Sequence, residues 1–212
     1  MKNHLTYRTV LIYIFLFFVS KNPVLAQSRG ESSLTFAYNI AVPMGSFSDF
    51  IGNATGRAFS GNILFGINNN WAAGLKIGYA NFYEKKTRQV YKSDDGSDIS
   101  AVVSNSVHFF PIMAEGKYNF KPGETIQPFV ALGLGIGIIN LEQYAGEFTN
   151  INQTPVTFTA QPEVGIHIAF NNQNGSGIKL SIGYNFVPYN DFGIDNFNHG
   201  IAALAISIPA RR

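Results

Sequence analysis

The residues best suited to catalysis lie towards the C-terminus, where Asp191, Asp195 and His199 follow one another at short intervals. A carboxylate can orient a histidine as a base, and two carboxylates with a histidine can hold a metal ion. His108, near the outer end of a predicted strand, could join such a site. Spacing within a loop fixes no geometry, however, aspartate is a common turn former, and no serine nucleophile motif accompanies these residues. We therefore expect no enzyme, no metal site and no cofactor.

A second group of titratable residues lies within apolar segments instead of loops. Its members are Lys76, Glu115, Lys117, Glu163, His167 and Lys179, which we call the lumen network. In the stretch "IKLSIGYNF", for example, Lys179 stands between Ile178 and Leu180. Side chains of a strand point alternately to its two faces. The six residues therefore share one face of their strands with small and polar residues, while apolar residues cover the other face.

Eight segments show this alternation and predict eight strands. They cover residues 33–42, 57–67, 71–80, 102–120, 130–138, 156–170, 178–186 and 201–208. Their connections are alternately short turns and longer polar loops, the latter at 43–56, 84–98, 142–155 and 188–197. An even number of antiparallel strands joined in this way is typical of outer-membrane barrels, which have short periplasmic turns and longer extracellular loops.

The composition decides which face meets the solvent, because alternation alone fits both a soluble barrel with an apolar interior and a membrane barrel with an apolar exterior. Charged residues make up 13% of the chain, against about 25% in an average soluble domain. The less apolar face carries mostly small residues, where a soluble barrel would carry lysine and glutamate. We predict an all-β fold, an eight-stranded antiparallel transmembrane β-barrel, whose lumen network of ion pairs and hydrogen bonds occludes the interior.

The N-terminus has the features of an export signal, so the barrel is expected to follow a cleaved signal peptide. Lys2 and Arg8 precede a mostly apolar stretch at 10–19, which is too short to span a membrane, and we place cleavage after Ala26. The predicted domains are a signal peptide at 1–26 and an outer-membrane β-barrel domain at 27–212. Cleavage removes three of the 15 basic residues and none of the 13 acidic ones, which leaves a net charge of −1.

Several classes of function are excluded by what the chain lacks. It has no cysteine, so disulfides, thiolate metal sites and cysteine nucleophiles are absent. No basic run is long enough to indicate nucleic-acid binding. The expected partners are outer-membrane lipids and other outer-membrane or surface proteins, and the sequence leaves the oligomeric state open.

Two motifs resemble a known family. The segment "PMGSFSDF", Pro43 to Phe50, resembles the Pro-x-Gly-x-Phe loop opening of the outer-membrane β-barrel domain family that is often labelled porin-family protein. The segment "FPIMAEGKYNF", Phe110 to Phe120, with the following Gln127 to Val130, is similar to that family's central strands. The resemblance implies an eight-stranded barrel in the cell outer membrane, and for most members no assigned activity. The alternation of long loops and short turns adds the expectation that both termini are periplasmic.

Three functional hypotheses follow. The first is a structural or interaction-type barrel whose extracellular loops contact partners or surface lipids. Its candidate contact residues are Phe47, Phe50, Tyr144, Phe148, Tyr189 and Phe192. The second is a narrow, porin-like conduit for small solutes, which requires an incomplete lumen network. The third, the least favoured, is an enzyme at the outer rim built on the aspartates and histidines described above.

Overall fold

The computed structural model describes residues 32–92, 98–145, 148–170, 176–191 and 194–211. The predicted signal peptide lies outside the described residues. In the described part, the helix is α1 (Ser46–Phe50), and the strands are β1 (Ser32–Pro43), β2 (Thr55–Gly66), β3 (Trp71–Lys85), β4 (Gln89–Lys92), β5 (Asp98–Ala101), β6 (Val103–Asn119), β7 (Ile126–Ala145), β8 (Phe148–Gln153), β9 (Val156–Ala169), β10 (Gly177–Asn185), β11 (Pro188–Asp191), β12 (Ile194–Asn196) and β13 (His199–Arg211).

Eight of these strands close into an antiparallel barrel in the order β1, β2, β3, β6, β7, β9, β10 and β13. The first and last strands complete the ring, because β1 pairs with β2 along one edge and with β13 along the other. Phe36, for example, lies opposite both Gly61 of β2 and Ile206 of β13. The predicted eight-stranded antiparallel barrel is confirmed, and closure leaves no backbone edge of the ring unpaired.

The two faces of the barrel wall differ as the alternation predicts. Large apolar side chains cover the outside: Ile77 and Ile182 are 60% and 63% exposed. The residues that precede them in the same strands, Lys76 and Ser181, point inwards, and Lys76 is only 6% exposed. The apolar exterior and polar interior fit a bilayer and do not fit water.

The two ends of the barrel are unlike. At one end, here called the turn end, short connections at 67–70 and 120–125 join β2 to β3 and β6 to β7, and the first and last described residues of the barrel also lie there. The other end, the loop end, carries the four longer connections. These contain α1, the β4–β5 hairpin, β8 paired with β7, and the β11–β12 hairpin.

The four longer connections were predicted as irregular loops, and that prediction is wrong in part. β7 continues to Ala145, well past the predicted end at 138, and pairs there with β8. In the predicted loop 84–98, Tyr91 lies opposite Ile99 in the β4–β5 hairpin. The polar composition that indicates a loop is equally compatible with short hairpins in water, where both faces are solvated. No helix in the described ranges is long and apolar enough to cross a membrane.

Candidate functional site

The centre of the lumen holds an ion-pair cluster that joins three strands. Lys76 of β3 lies with its Nζ 3.7 Å from Oε2 of Glu115 on β6, and it donates a hydrogen bond to Oε2 of Glu163 on β9. The amide of Asn62 on β2 donates to the other oxygen of Glu115 at 2.9 Å. Gln161 donates to Glu163 at 3.4 Å. The side chains of three members of the lumen network are therefore in direct contact, inside a ring of strands that brings them inwards.

The other two lysines of the lumen network, Lys117 and Lys179, are also buried but face an aromatic ring. Their Nζ atoms lie 4.4 Å and 5.2 Å from the centroid of Phe129 on β7. Ammonium groups at such distances are attracted to the negative face of the ring. Gly165 leaves room for this ring, since a Cβ there would lie 2.8 Å from Phe129 Cζ. Phe129 was not predicted as a site residue, although the parity of β7 assigns it to the inner face.

His167, the sixth member of the lumen network, lies directly opposite Lys179 in the β9–β10 register. Its Nδ1 is 3.4 Å from the side-chain oxygen of Gln127, and its Nε2 is buried without a hydrogen-bond partner in the described structure. The network is therefore not one continuous chain of hydrogen bonds. It consists of the Lys76 cluster and, nearer the turn end, a second group around Phe129.

An apolar cluster fills the lumen at the loop end, and the sequence analysis missed it. Phe47 of α1 packs edge-on against Phe82 at 4.9 Å and against Phe197 at 5.2 Å between ring centroids. Phe109 and Ile139 line the same cluster from β6 and β7. Their inward parity was the available signal, but the prediction of a polar lumen overlooked it. The loop end is thus closed by apolar side chains beneath α1 and the β11–β12 hairpin.

His199 belongs to this cluster and is not a base at an open rim. It is 1% exposed, and its ring lies 5.1 Å and 5.2 Å from the rings of Phe82 and Phe109. Asn185 donates to Nε2 at 2.9 Å, and Nδ1 lies 2.9 Å from the carbonyl oxygen of Phe197, to which it donates in the neutral tautomer. Both ring nitrogens are thus engaged, so His199 has no free nitrogen to act as a base or a ligand.

The remaining residues of the candidate rim site lie elsewhere. His108 points to the outer face of the wall, where Nδ1 is 3.0 Å from the Tyr79 hydroxyl, whereas His199 points inwards. Asp195 is exposed in β12, where its backbone N–H donates to Ser46 Oγ at 3.1 Å, and Asp191 is exposed in β11. Across the described residues, no group of three or more histidine, cysteine, aspartate and glutamate side chains is placed to hold a metal ion.

The candidate contact aromatics at the loop end differ in exposure. Phe47 is fully buried in the apolar cluster, so its assignment as a contact residue is wrong: the ring fills the lumen mouth. Phe50 and Tyr189 pack partly against the same cluster, and burial together with the charge of Asp191 raises the pKa of the Tyr189 phenol. Tyr144 is exposed and donates to Glu142 at 3.1 Å. The Phe148 side chain and Phe192 lie outside the described part.

Two small cavities lie among the inward side chains of the described residues. One cavity of about 30 Å³ lies between the Lys76 cluster and the apolar cluster, and its lining includes Met113 and His199. A second, of about 20 Å³, lies beside Lys179. Each volume corresponds to about one water molecule. Both cavities are small beside the ion-pair cluster and the apolar cluster that occupy these two levels of the lumen.

A closed eight-stranded barrel with an apolar exterior, an ion-pair cluster at the centre of its lumen and side chains packed inside has the architecture of the small outer-membrane β-barrels. Comparison with solved structures gives the same class. Neisserial surface protein A matches with a TM-score of 0.52 at 12% identity, over 86% of this chain and 97% of its own. This likeness shows the fold: the chain is an eight-stranded barrel of the outer-membrane type.

Two further solved structures match more weakly. The N-terminal β-barrel domain of OprF from Pseudomonas aeruginosa has a TM-score of 0.47 at 14% identity, over 85% of this chain and 98% of its own. Ail, the attachment invasion locus protein of Yersinia pestis, has a TM-score of 0.45 at 14% identity, over 85% of this chain and 99% of its own. No family model matches the sequence, and no curated protein matches it.

Proposed function

We propose that the protein is an integral outer-membrane barrel of the structural or interaction type, with an occluded lumen and no catalytic activity. The observation that carries the proposal is the filled interior: the Lys76 cluster occupies the centre, and the Phe47 ring closes the loop end. A wall that is apolar outside and packed inside anchors the protein in lipid and leaves no route of useful width for solutes. The engaged nitrogens of His199 argue against an enzyme at the rim.

The length of the strands supports an interaction role. A tilted strand crosses the bilayer with about 9 to 11 residues, whereas β3, β6 and β7 have 15, 17 and 20 residues. Their additional residues extend at the loop end, where β8 widens the same wall. We place this end outside the cell and the turn end, with both termini, in the periplasm. Among the candidate contact residues whose side chains are described, Tyr144 is the most exposed, on the extension of β7.

Planar-bilayer conductance tests the occluded lumen. Purified, refolded protein inserted into a bilayer should give no large, steady channels, because the two packed levels block the bore. A matched variant, Phe47→Ala, should remain closed as well, since the Lys76 cluster lies deeper in the lumen. Steady unit conductance from the native protein would contradict the proposal and would favour the alternative of a narrow conduit.

A further inference from the structure

The lumen network carries more positive than negative charge. In the described part it contains three lysines and two glutamates, and both glutamates form ion pairs with Lys76. No carboxylate of the described residues forms an ion pair with Lys117 or Lys179. Both lysines lie against the uncharged ring of Phe129, and Glu115 and Glu163 attract them only from beyond ion-pair distance. Three buried lysines of the lumen network therefore share two carboxylates.

The cavity of about 20 Å³ lies where this excess charge is located. Its lining includes Lys179, Lys76, Glu163 and Thr35. The negative charge of Glu163 is already compensated by its hydrogen bond from Lys76. The hydroxyl of Thr35 is fully buried and has no hydrogen-bond partner in the described structure. The cavity thus combines the ammonium group of Lys179, which has no carboxylate within ion-pair distance, with the unpartnered hydroxyl of Thr35, and both can interact with an anion.

We propose that this cavity binds a small monovalent inorganic anion of the size of chloride. A buried charge without a partner is costly, and so is a buried donor without an acceptor, and one bound anion satisfies Lys179 and Thr35 together. The volume fits a species about as large as a water molecule and excludes sulfate and phosphate. The lysines that line the cavity oppose a metal cation. An ion held in so small a cavity is compatible with a lumen that does not conduct.

Unfolding equilibria in detergent, measured at constant ionic strength in sodium chloride and in sodium gluconate, test the proposal. A ligand that binds only the folded state lowers the unfolded-to-folded ratio by a factor of 1 plus its concentration over its dissociation constant. Chloride at ten times that constant should lower the ratio about elevenfold relative to gluconate. Equal ratios in the two salts would overturn the proposal and would indicate that the cavity holds water.

Two variants and a control separate a specific site from a general salt effect. Lys179→Met nearly keeps the length of the side chain and removes the charge. The unfolded-to-folded ratio of this variant should therefore be the same in chloride and in gluconate, so that the stabilisation by chloride is lost. Thr35→Val replaces the hydroxyl by a methyl group of similar size and should reduce the stabilisation by chloride. This second variant tests the site if Lys179→Met does not fold. Lys121→Met alters an exposed lysine at the turn end and should respond to chloride as the native protein does. If chloride stabilises both lumen variants as strongly as it stabilises the native protein, the proposal is overturned.

Discussion

Lys76 is the side chain that connects separate walls of the barrel. It extends from β3, and its partners Glu115 and Glu163 lie on β6 and β9, so the contact crosses the lumen. All three side chains are almost completely removed from solvent. Removing one partner of a buried ion pair is more damaging than the pair itself is stabilising, because the remaining charge stays buried without compensation. The loss of any one of these three side chains is therefore expected to cost more stability than the intact ion pairs contribute.

The substitution Lys76→Met should lower the free energy of unfolding by about 3 kcal/mol, since it leaves two buried carboxylates without their common cation. Denaturant unfolding in detergent can be followed through the fluorescence of Trp71, the single tryptophan of the chain. The matched control is Lys121→Met, whose partner Glu124 is exposed, and it should cost less than about 1 kcal/mol. Equal losses for the two variants would show that the Lys76 cluster is not a stabilising element.

Parity along the strands was enough to assign inward residues, but it could not pair them. The sequence places Lys76, Glu115 and Glu163 on inner faces because the period of a strand is two. The sequence does not fix the stagger between strands that are distant in the chain. The hydrogen bond from Lys76 on β3 to Glu163 on β9 could therefore not be predicted. Phe47 was misassigned for a related reason. Loop composition cannot show that a short helix turns its aromatic ring into the lumen.

At the scale of elements, β6 and β7 interlock through residues of unequal size. Met113 of β6 faces Gly135 of β7 in the register, and the Gly133 backbone lies beside the Met113 sulfur. A Cβ at Gly135 would collide with the carbonyl oxygen of Ile112 and would lie 2.7 Å from the Met113 Cα. Small residues on one strand thus give space to large ones on the next, which suits the narrow bore of eight strands.

The substitution Gly135→Ala should therefore destabilise the barrel by about 2 kcal/mol, because the clash is with backbone that has no room to move. Refolding yield into lipid vesicles and the denaturant midpoint are the measurements. Gly116→Ala is the matched control, since a Cβ at that position meets nothing within 4 Å. If Gly135→Ala refolds as well as Gly116→Ala, the strands do not depend on this close approach.

The eight barrel strands could be predicted because each crosses the bilayer and must alternate. The strands outside the membrane are under a weaker constraint. β4, β5, β11 and β12 lie in segments rich in polar and charged residues, and hairpins in water need no lipid-facing stripe. Their pattern could not be distinguished from that of an irregular loop. For the same reason the predicted end of β7 was too early. The alternation of apolar and small residues ends where the strand leaves the lipid, while its backbone pairing with β8 continues.

At the scale of the whole molecule, the two ends of the barrel are closed differently. The loop end has α1 and the β11–β12 hairpin over an apolar cluster, and Ser46 Oγ accepts hydrogen bonds from the backbone N–H groups of Asp195 and Asn196 at 3.1 Å. The turn end has short connections and charged residues of the lumen network nearby. This asymmetry supports the proposed orientation, in which the loop end lies outside the cell and is available for contacts.

That direction can be tested in living cells, because the chain has no cysteine and a single introduced thiol is a unique label site. Tyr144→Cys lies on the exposed extension of β7, and Asn69→Cys lies in the exposed turn between β2 and β3. With the loop end outside, a membrane-impermeant maleimide should label Tyr144→Cys in intact cells and Asn69→Cys only after lysis. Labelling of Asn69→Cys in intact cells, with Tyr144→Cys protected, would reverse the orientation. Tyr144 would then lie in the periplasm, and its proposed role as a contact at the cell surface would fail.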